Sequence, residues 1–239
     1  MKLHKIAIVT AMEQEAHAVC PAPQLEENSA FPILRGTLKN NVSYRCVVSG
    51  IGIKRAAEAT KLLCTQKPDL ILSVGVSGGL APGLSAGTIV AGTSILSDIE
   101  EFESWLEGAA EAQMRSGLIP DCGKIQCGKL FTARKPVLCA QDKLFIHERT
   151  GALAVDMESI AVASTAQKMG IPFGCIRAIS DDSNRGIPKE SLAGVDESGK
   201  TQLGPILKAI AKRPGLIFEL IPMGRDYSKA LKALGEIFG

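Results

Sequence analysis

Aromatic side chains are scarce, at 4% of the 239 residues, with a single Trp. A stacking platform for single-stranded nucleic acid has little to be built from. An excess of one charge sign is also missing. The 27 Lys and Arg against 25 Asp and Glu leave a formal net charge of +2, without the basic surface that nucleic-acid binding needs. No nucleic-acid partner is expected. The three His and seven Cys (Cys20, Cys46, Cys64, Cys122, Cys127, Cys139, Cys175) are scattered, and the Cys are odd in number. That argues against a disulfide framework. The nearest pair is Cys122 and Cys127, with no second pair and no His-x-His, which argues against zinc. The cysteines read as reduced packing residues, and neither metal nor cofactor is expected. The N-terminal apolar run reaches Glu13 too soon to hold a signal segment, so the expected location is cytoplasmic.

Long apolar runs are missing too, with one deceptive exception. Leu70–Ser97 carries no charged residue, long enough by count for a membrane span. Gly75, Gly78, Gly79, Pro82, Gly83, Gly87 and Gly92 interrupt it, and each weakens a helix. It reads instead as two buried strands, Leu70–Val74 and Thr88–Ala91, joined by a glycine-rich loop. No integral membrane segment is expected.

What is present is a 46% hydrophobic chain whose buried-strand runs alternate with helical stretches. Strands are expected at Lys5–Val9, Tyr44–Val48 and Phe173–Ile179. Helices are expected at Glu13–Val19, Ile53–Cys64 and Asp156–Met169. Glu100–Ala112 reads as an exposed helix and Asp181–Gly199 as a mobile loop. The tail reads as helices at Leu203–Lys212, Leu216–Ile221 and Tyr227–Ile237, split by Arg213-Pro214-Gly215 and by Pro222. This alternation predicts an α/β sheet with helices on both faces. No linker separates two cores, so a single domain over 1–239 is expected.

Three motif matches fail on their neighbours. Gly75-Val76-Ser77-Gly78-Gly79 spells the nucleophile elbow of serine hydrolases, but Leu80-Ala81-Pro82-Gly83 cannot start the required helix. Gly123–Lys129 spells a P-loop until Leu130 stands where Mg²⁺ needs Ser or Thr. Gly50-Ile51-Gly52 begins a dinucleotide fingerprint, but Arg55 replaces the third Gly. What remains there is a glycine turn at a helix N-terminus, suited to an anion or polar oxygen, or a tight turn alone.

Acidic residues stand at the junctions. Glu13 and Glu15 follow the first strand, Asp156 and Glu158 begin a helix, and Asp181 with Asp182 end a strand. Asp156 also fits an N-cap, Glu158 a charge offsetting the helix dipole, and Asp181-Asp182 the start of a turn. Ligands of open α/β sheets nevertheless collect at the carboxyl ends of strands. Converging carboxylates suit chemistry that forms a cation, glycosidic cleavage among it.

Val9-Thr10-Ala11-Met12-Glu13-Gln14-Glu15, Ser49-Gly50-Ile51-Gly52, Val74–Leu80, Ala154-Val155-Asp156-Met157-Glu158-Ser159 and Arg177–Asp181 occur in order along the chain. Together they resemble the purine nucleoside phosphorylase/uridine phosphorylase superfamily, nearest its methylthioadenosine/S-adenosylhomocysteine nucleosidase branch. The V-D-M-E-S segment, the short chain and the Arg-Pro-Gly-Leu tail are similar to the hopanoid-biosynthesis-associated phosphorylases, which remove adenine from adenosylhopane. The resemblance implies a three-layer αβα fold around a central, partly barrel-like mixed sheet. It implies Asp181 as the acid that protonates the base at N7, and Glu15 as the carboxylate that activates water. It places Met157 and Glu158 on the ribose, Phe131 and Ser180 on the base, and Gly52, Ser77 and Gly78 in the nucleophile or phosphate loop. Two arginines expected of phosphate-using members are missing, at Met12–Glu15 and at Ser73, which favours hydrolysis over phosphorolysis. Ile99–Gly117, Arg185–Gly199 and the apolar tail (Leu216, Ile217, Phe218, Leu220, Ile221) are candidates for an apolar mouth, or for packing on the core or a second subunit. The expected partners are a small-molecule nucleoside, possibly phosphate, and a second copy in a homodimer or higher homo-oligomer. A sensor that keeps the fold without the activity is the non-enzymatic alternative.

Overall fold

The computed structural model describes residues 3–26, 29–38, 41–104, 125–194, 196, 198–200 and 202–238. Its strands are β1 (Lys5–Thr10), β2 (Gln24–Glu26), β3 (Ile33–Thr37), β4 (Ser43–Val48), β5 (Leu70–Gly79), β6 (Ile89–Leu96), β7 (Glu101–Glu103), β8 (Ile125–Thr132), β9 (Ala154–Asp156) and β10 (Phe173–Asp181). The helices are α1 (Glu13–Val19), α2 (Ile53–Cys64), α3 (Ala140–Thr150), α4 (Ser159–Lys168), α5 (Leu203–Lys212) and α6 (Leu216–Phe238), with a 3₁₀ turn at Lys189–Gly194.

The sheet is mixed and closes on itself in part. β5 pairs with β10, β10 with β6, β6 with β8, β8 with β9, and β9 returns to β5. From this ring the sheet extends through β1, β4, β3 and β2. The fold is thus the mixed, partly barrel-like α/β class expected. β5 is the hub, with parallel partners β1 and β10 and antiparallel β9.

Apolar periodicity sets the layers. In α2, Ala56, Ala59 and Leu63 turn one face to the core while Lys54, Glu58 and Lys61 stay exposed, and Pro68 follows its end. That face packs with β1, β5 and α4 in one cluster including Ala7, Val9, Ile71 and Ala163. On the other side Ala16 and Val19 of α1 meet Ala230, Leu234, Ile237 and Phe238 of α6 over Ile8, Leu72 and Ile176.

Several expectations require correction. The glycine-rich segment Gly75–Gly79 is not a loop but the end of β5, with Gly75–Gly78 paired to β10 and Gly78–Gly79 to β9. Glycine disfavours strands in general, but it also marks places where another group comes close. β6 likewise runs on to Leu96. Glu101–Glu103 forms a strand against β6 rather than part of a helix, because its backbone completes that ladder. The remainder of that expected helix, and 105–117 of the expected mouth, lie outside the described residues. Asp156 ends β9, and the helix begins only at Ser159. Pro222 does not split the tail. One helix runs from Leu216 to Phe238 because its second half buries Ala230, Leu234, Ile237 and Phe238. Part of the region expected to be a mobile loop forms the 3₁₀ turn. Cys20, Cys46, Cys64 and Cys175 are buried as packing residues, whereas Cys127 and Cys139 are exposed.

Candidate active site

The acidic residues follow or end strands that pair with β5: Glu15 comes after β1, Asp156 ends β9 and Asp181 ends β10. Glu15 sits in the first turn of α1, where a carboxylate can reach the free N–H groups of the helix start. Its Oε2 accepts from the backbone of Ala11 at 2.9 Å and Met12 at 3.0 Å. Its Oε1 accepts from Val76 N on β5 at 2.9 Å. Three N–H donors fix the group, which is 3% exposed. Burial raises its pKa, against the pull of Val76 N–H, the Arg177 charge and the other two donors.

Glu158 arrives from the start of α4. Its Oε1 accepts from Gly52 N at 2.8 Å and its Oε2 from Met157 N at 3.3 Å. Gly52 has φ +98, so the turn that presents this N–H needs glycine. The anion at this helix N-terminus is therefore the protein's own carboxylate. Burial, then the neighbouring Asp156 charge, push the pKa of Glu158 up to about 7, although Gly52 N–H and Arg177 oppose the rise.

Between them lies Arg177 on β10, 3% exposed. Its guanidinium donates to Asp156 Oδ2 at 2.8 Å and to the hydroxyls of Ser73 and Ser159, each at 2.7 Å. Desolvation works against its charge, but Cys175, Asp156, Glu15 and Glu158 outweigh it and raise its pKa. Asp156 is held further by Thr132 Oγ1 at 2.8 Å and by the Ser159 hydroxyl. Its Oδ1 also accepts from Ser159 N at 3.2 Å, although the residue at the helix N-cap is Glu158 and not, as expected, Asp156. Arg177 lay inside a quoted motif yet received no role from the sequence. A lone Arg in an apolar strand is the signal that could have found it, since arginine is almost never buried unpaired.

Glu15, Glu158, Arg177, Ser49, Ser73 and Gly75 share a small cavity of ≈ 10 Å³. That is close to the room one water molecule needs, and its lining supplies both donors and acceptors.

Asp181 stands farther along β5, at the end of β10, where the register shifts between Ile179 and Asp181. Its carboxylate lies against Gly78, whose added Cβ would come within 3.3 Å of Oδ2. Gly75, beside Glu15, is three residues earlier on the same strand, about 10 Å away by strand rise. Asp181 Oδ1 accepts from the Ser180 hydroxyl at 2.8 Å, and Oδ2 is paired with the ammonium of Lys143 on α3. Lys143 is a residue that sequence reasoning missed. Asp182 forms the turn expected of it, accepting from Asn184 N at 2.9 Å.

The other expected residues are distributed around this line. Met157 is half-buried between Asp156 and Glu158. Ser180 Oγ also reaches Ser77 O at 3.2 Å. The Ser77 hydroxyl is buried without a protein hydrogen-bond partner, within β5 rather than on a strand-to-helix elbow. Phe131, at the end of β8, is 3% exposed and packs with Leu80, Ala133, Ala152 and Val155. The P-loop match falls largely on β8, which leaves no phosphate-cradling loop over 125–132. Among the described residues no cluster of His, Cys, Asp and Glu suits a metal, and no helix is long and apolar enough to cross a membrane.

Known proteins share this fold. The family described as the Phosphorylase superfamily matches residues 5–212. A 5′-methylthioadenosine/S-adenosylhomocysteine nucleosidase of Glaesserella parasuis is 29% identical over 214 residues, 81% of this chain and 90% of the relative. Among solved structures, the Neisseria meningitidis 5′-methylthioadenosine/S-adenosylhomocysteine nucleosidase in complex with methylthio-immucillin-A superposes with a TM-score of 0.68. It is 22% identical and covers 98% of both chains. Futalosine hydrolase of Helicobacter pylori gives a TM-score of 0.69 at 17% identity, over 98% of this chain and 95% of that one.

Proposed function

This chain belongs to the phosphorylase superfamily, and from that premise we propose that it is an N-ribosyl hydrolase releasing adenine from adenosylhopane. The observation that carries the catalytic part is the convergence of Glu15, Glu158 and Arg177 on one water-sized cavity, with Asp181 about 10 Å along β5. A ribosyl-purine laid along that strand has its sugar near Glu158 and its base near Asp181.

Adenine leaves poorly as an anion, so Asp181 gives a proton to N7 and the purine departs neutral. The C1′–N9 bond breaks with its electron pair on the purine, leaving a ribosyl cation. Water held beside Glu15 attacks C1′ and passes a proton to that carboxylate, whose burial makes it a better base than a free glutamate. Glu158 and Met157 hold the ribose, with Glu158 on its hydroxyls. Ser180 steadies Asp181, Phe131 backs the wall behind the base, and Gly52, in the turn before α2, and Ser77 and Gly78, within β5, border the substrate. Hydrolysis rather than phosphorolysis is supported at the two positions where phosphate-using members carry arginine. Glu15 occupies the first loop, and Ser73 is engaged by Arg177.

The hopane assignment rests on the V-D-M-E-S segment and the tail. Leu207, Ile217, Phe218 and Ile221 of α5 and α6 are 65%, 40%, 79% and 50% exposed, an apolar surface suited to a lipid-bearing 5′ group. The active form is a homodimer in the cytoplasm.

The test is chromatography of adenine, ribose and ribose 1-phosphate after incubation with adenosylhopane or methylthioadenosine, with and without phosphate. Free adenine and phosphate-independent ribose production are expected, with adenosylhopane preferred. Phosphate-dependent turnover would assign a phosphorylase, preference for the thioether would remove the hopanoid assignment, and binding without adenine release would leave a sensor. Asp181→Asn should lower turnover at least ~100-fold, the lower range for general acid catalysis.

A further inference from the structure

α3 is built inside out. Its single fully buried side chain is Lys143, at 0% exposure, while Leu144 and Phe145 beside it are 44% and 61% exposed. A helix that needed only to dock on the sheet would bury the leucine and phenylalanine. Burying an ammonium is strongly unfavourable unless it is paired and fully hydrogen-bonded. Here it is both. The Lys143 ammonium has three N–H donors and three acceptors: Asp181 Oδ2, Asp182 O at 2.8 Å and Arg185 O at 3.0 Å. The helix is tied to the same turn by backbone as well, because Ile187 N donates to Leu138 O at 2.8 Å.

We propose that Lys143 is a positioning residue for the leaving-group acid, stabilising the Asp181 carboxylate that forms as the purine takes its proton. The inference rests on the reading of Asp181 as that acid. In the step, Asp181 carries its proton on Oδ1, with the Ser180 hydroxyl then donating to Ser77 O. That proton passes to N7: the O–H bond breaks, an N7–H bond forms, and the C1′–N9 pair moves onto the protonated purine, which leaves neutral. Asp181 is left negative in a largely buried position, its side chain 8% exposed. A preset cation at its Oδ2 stabilises that charge without reorganisation, which is how fixed charges lower barriers in enclosed sites. The two carbonyls that hold it fix the ammonium, so the carboxylate stays against Gly78.

A double-mutant cycle decides the matter, with adenine release from adenosylhopane as the readout and circular dichroism as the check on folding. Lys143→Met should lower kcat by ~100-fold, comparable to loss of a general acid. In an Asp181→Asn background the same change should lower kcat no further. A leaving group that needs no proton supplies the second arm. Hydrolysis of 4-nitrophenyl β-D-riboside should stay within ~3-fold of wild type in Lys143→Met, because that group departs without the acid. Multiplying losses in the cycle, or equal losses on both substrates, would overturn the proposal. If Lys143→Met does not fold, Lys143→Gln, which removes the charge but retains a donor to the carbonyls, takes its place. Failure of both to fold assigns the ammonium to the fold alone and also overturns it. A wild-type protein releasing no adenine would instead defeat the function proposed above, whereas active wild type with active Lys143→Met defeats only this inference.

Discussion

Gly75 and Glu15 are in such close approach that a Cβ on Gly75 would stand 2.7 Å from Glu15 Oε1 and 3.0 Å from its carboxyl carbon. β5 therefore runs past the carboxylate as bare backbone, and the next residue, Val76, supplies one of its N–H donors. A methyl group here must push Glu15 off its three donors. Gly75→Ala should lower kcat for adenine release by ~10- to 100-fold, as expected for a sub-ångström to 1 Å misplacement of a reacting group. Its circular dichroism should match wild type. Steady-state kinetics checks this, and an unimpaired variant would show that the position of Glu15 is not critical.

Glu15→Gln preserves shape, and its one amide oxygen can still accept from Ala11 and Met12 N–H, but its NH2 then faces Val76 N–H and it cannot take a proton from water. Hydrolysis should fall below detection while adenine still binds, measured by calorimetry with free adenine. Equal loss of binding and turnover would give Glu15 a structural role only.

Glu158 links the site to pH. Its pKa rises from 4.5 to about 7 on folding, so the folded protein holds a proton there that the unfolded chain has released. The stability this contributes is complete below about pH 4.5 and is lost as pH rises through about 7. Glu158→Gln cannot ionise, so relative to wild type it should gain stability between pH 5 and pH 8. The gain should be on the order of a few kcal/mol, because each pKa unit corresponds to about 1.4 kcal/mol. Urea unfolding of both proteins at the two pH values measures it. Parallel stability curves would show that Glu158 does not hold this proton.

Arg177 is paired with the buried Asp156 carboxylate, and its charge also acts on Glu15 and Glu158. Arg177→Met leaves Asp156 without its cation and the hydroxyls of Ser73 and Ser159 without their shared donor. Removing one partner of a buried ion pair costs about 3–5 kcal/mol. For a domain of this size that corresponds to a fall in Tm of roughly 6–20 °C. Calorimetry should show it, and an unchanged Tm would mean the cluster is held by hydrogen bonds alone.

Much of the architecture is legible in the chain. Short apolar runs such as Lys5–Val9 and Phe173–Ile179, and the alanine-rich period of Ile53–Cys64, encode their own burial. The sequence reading failed where long-range contact overrode local preference. Glycines stayed in β5 because β9 and β10 complete its ladder and two carboxylates need the space. Proline stayed in α6 because four apolar residues beyond it are buried. The junction carboxylates Glu15, Glu158 and Asp181 were visible as acids at the ends of strands. What surrounds them was not.

By itself the sequence determined the α/β class, the order of the motifs and the placing of acids at chain turns, because these follow from local periodicity and capping chemistry. Only the tertiary structure decided that β10 closes against both β5 and β6, and that Arg177 serves Asp156. It alone decided that a lysine from an otherwise exposed helix meets Asp181. A buried charge is tolerated only through partners distant in the chain, and no local pattern names them.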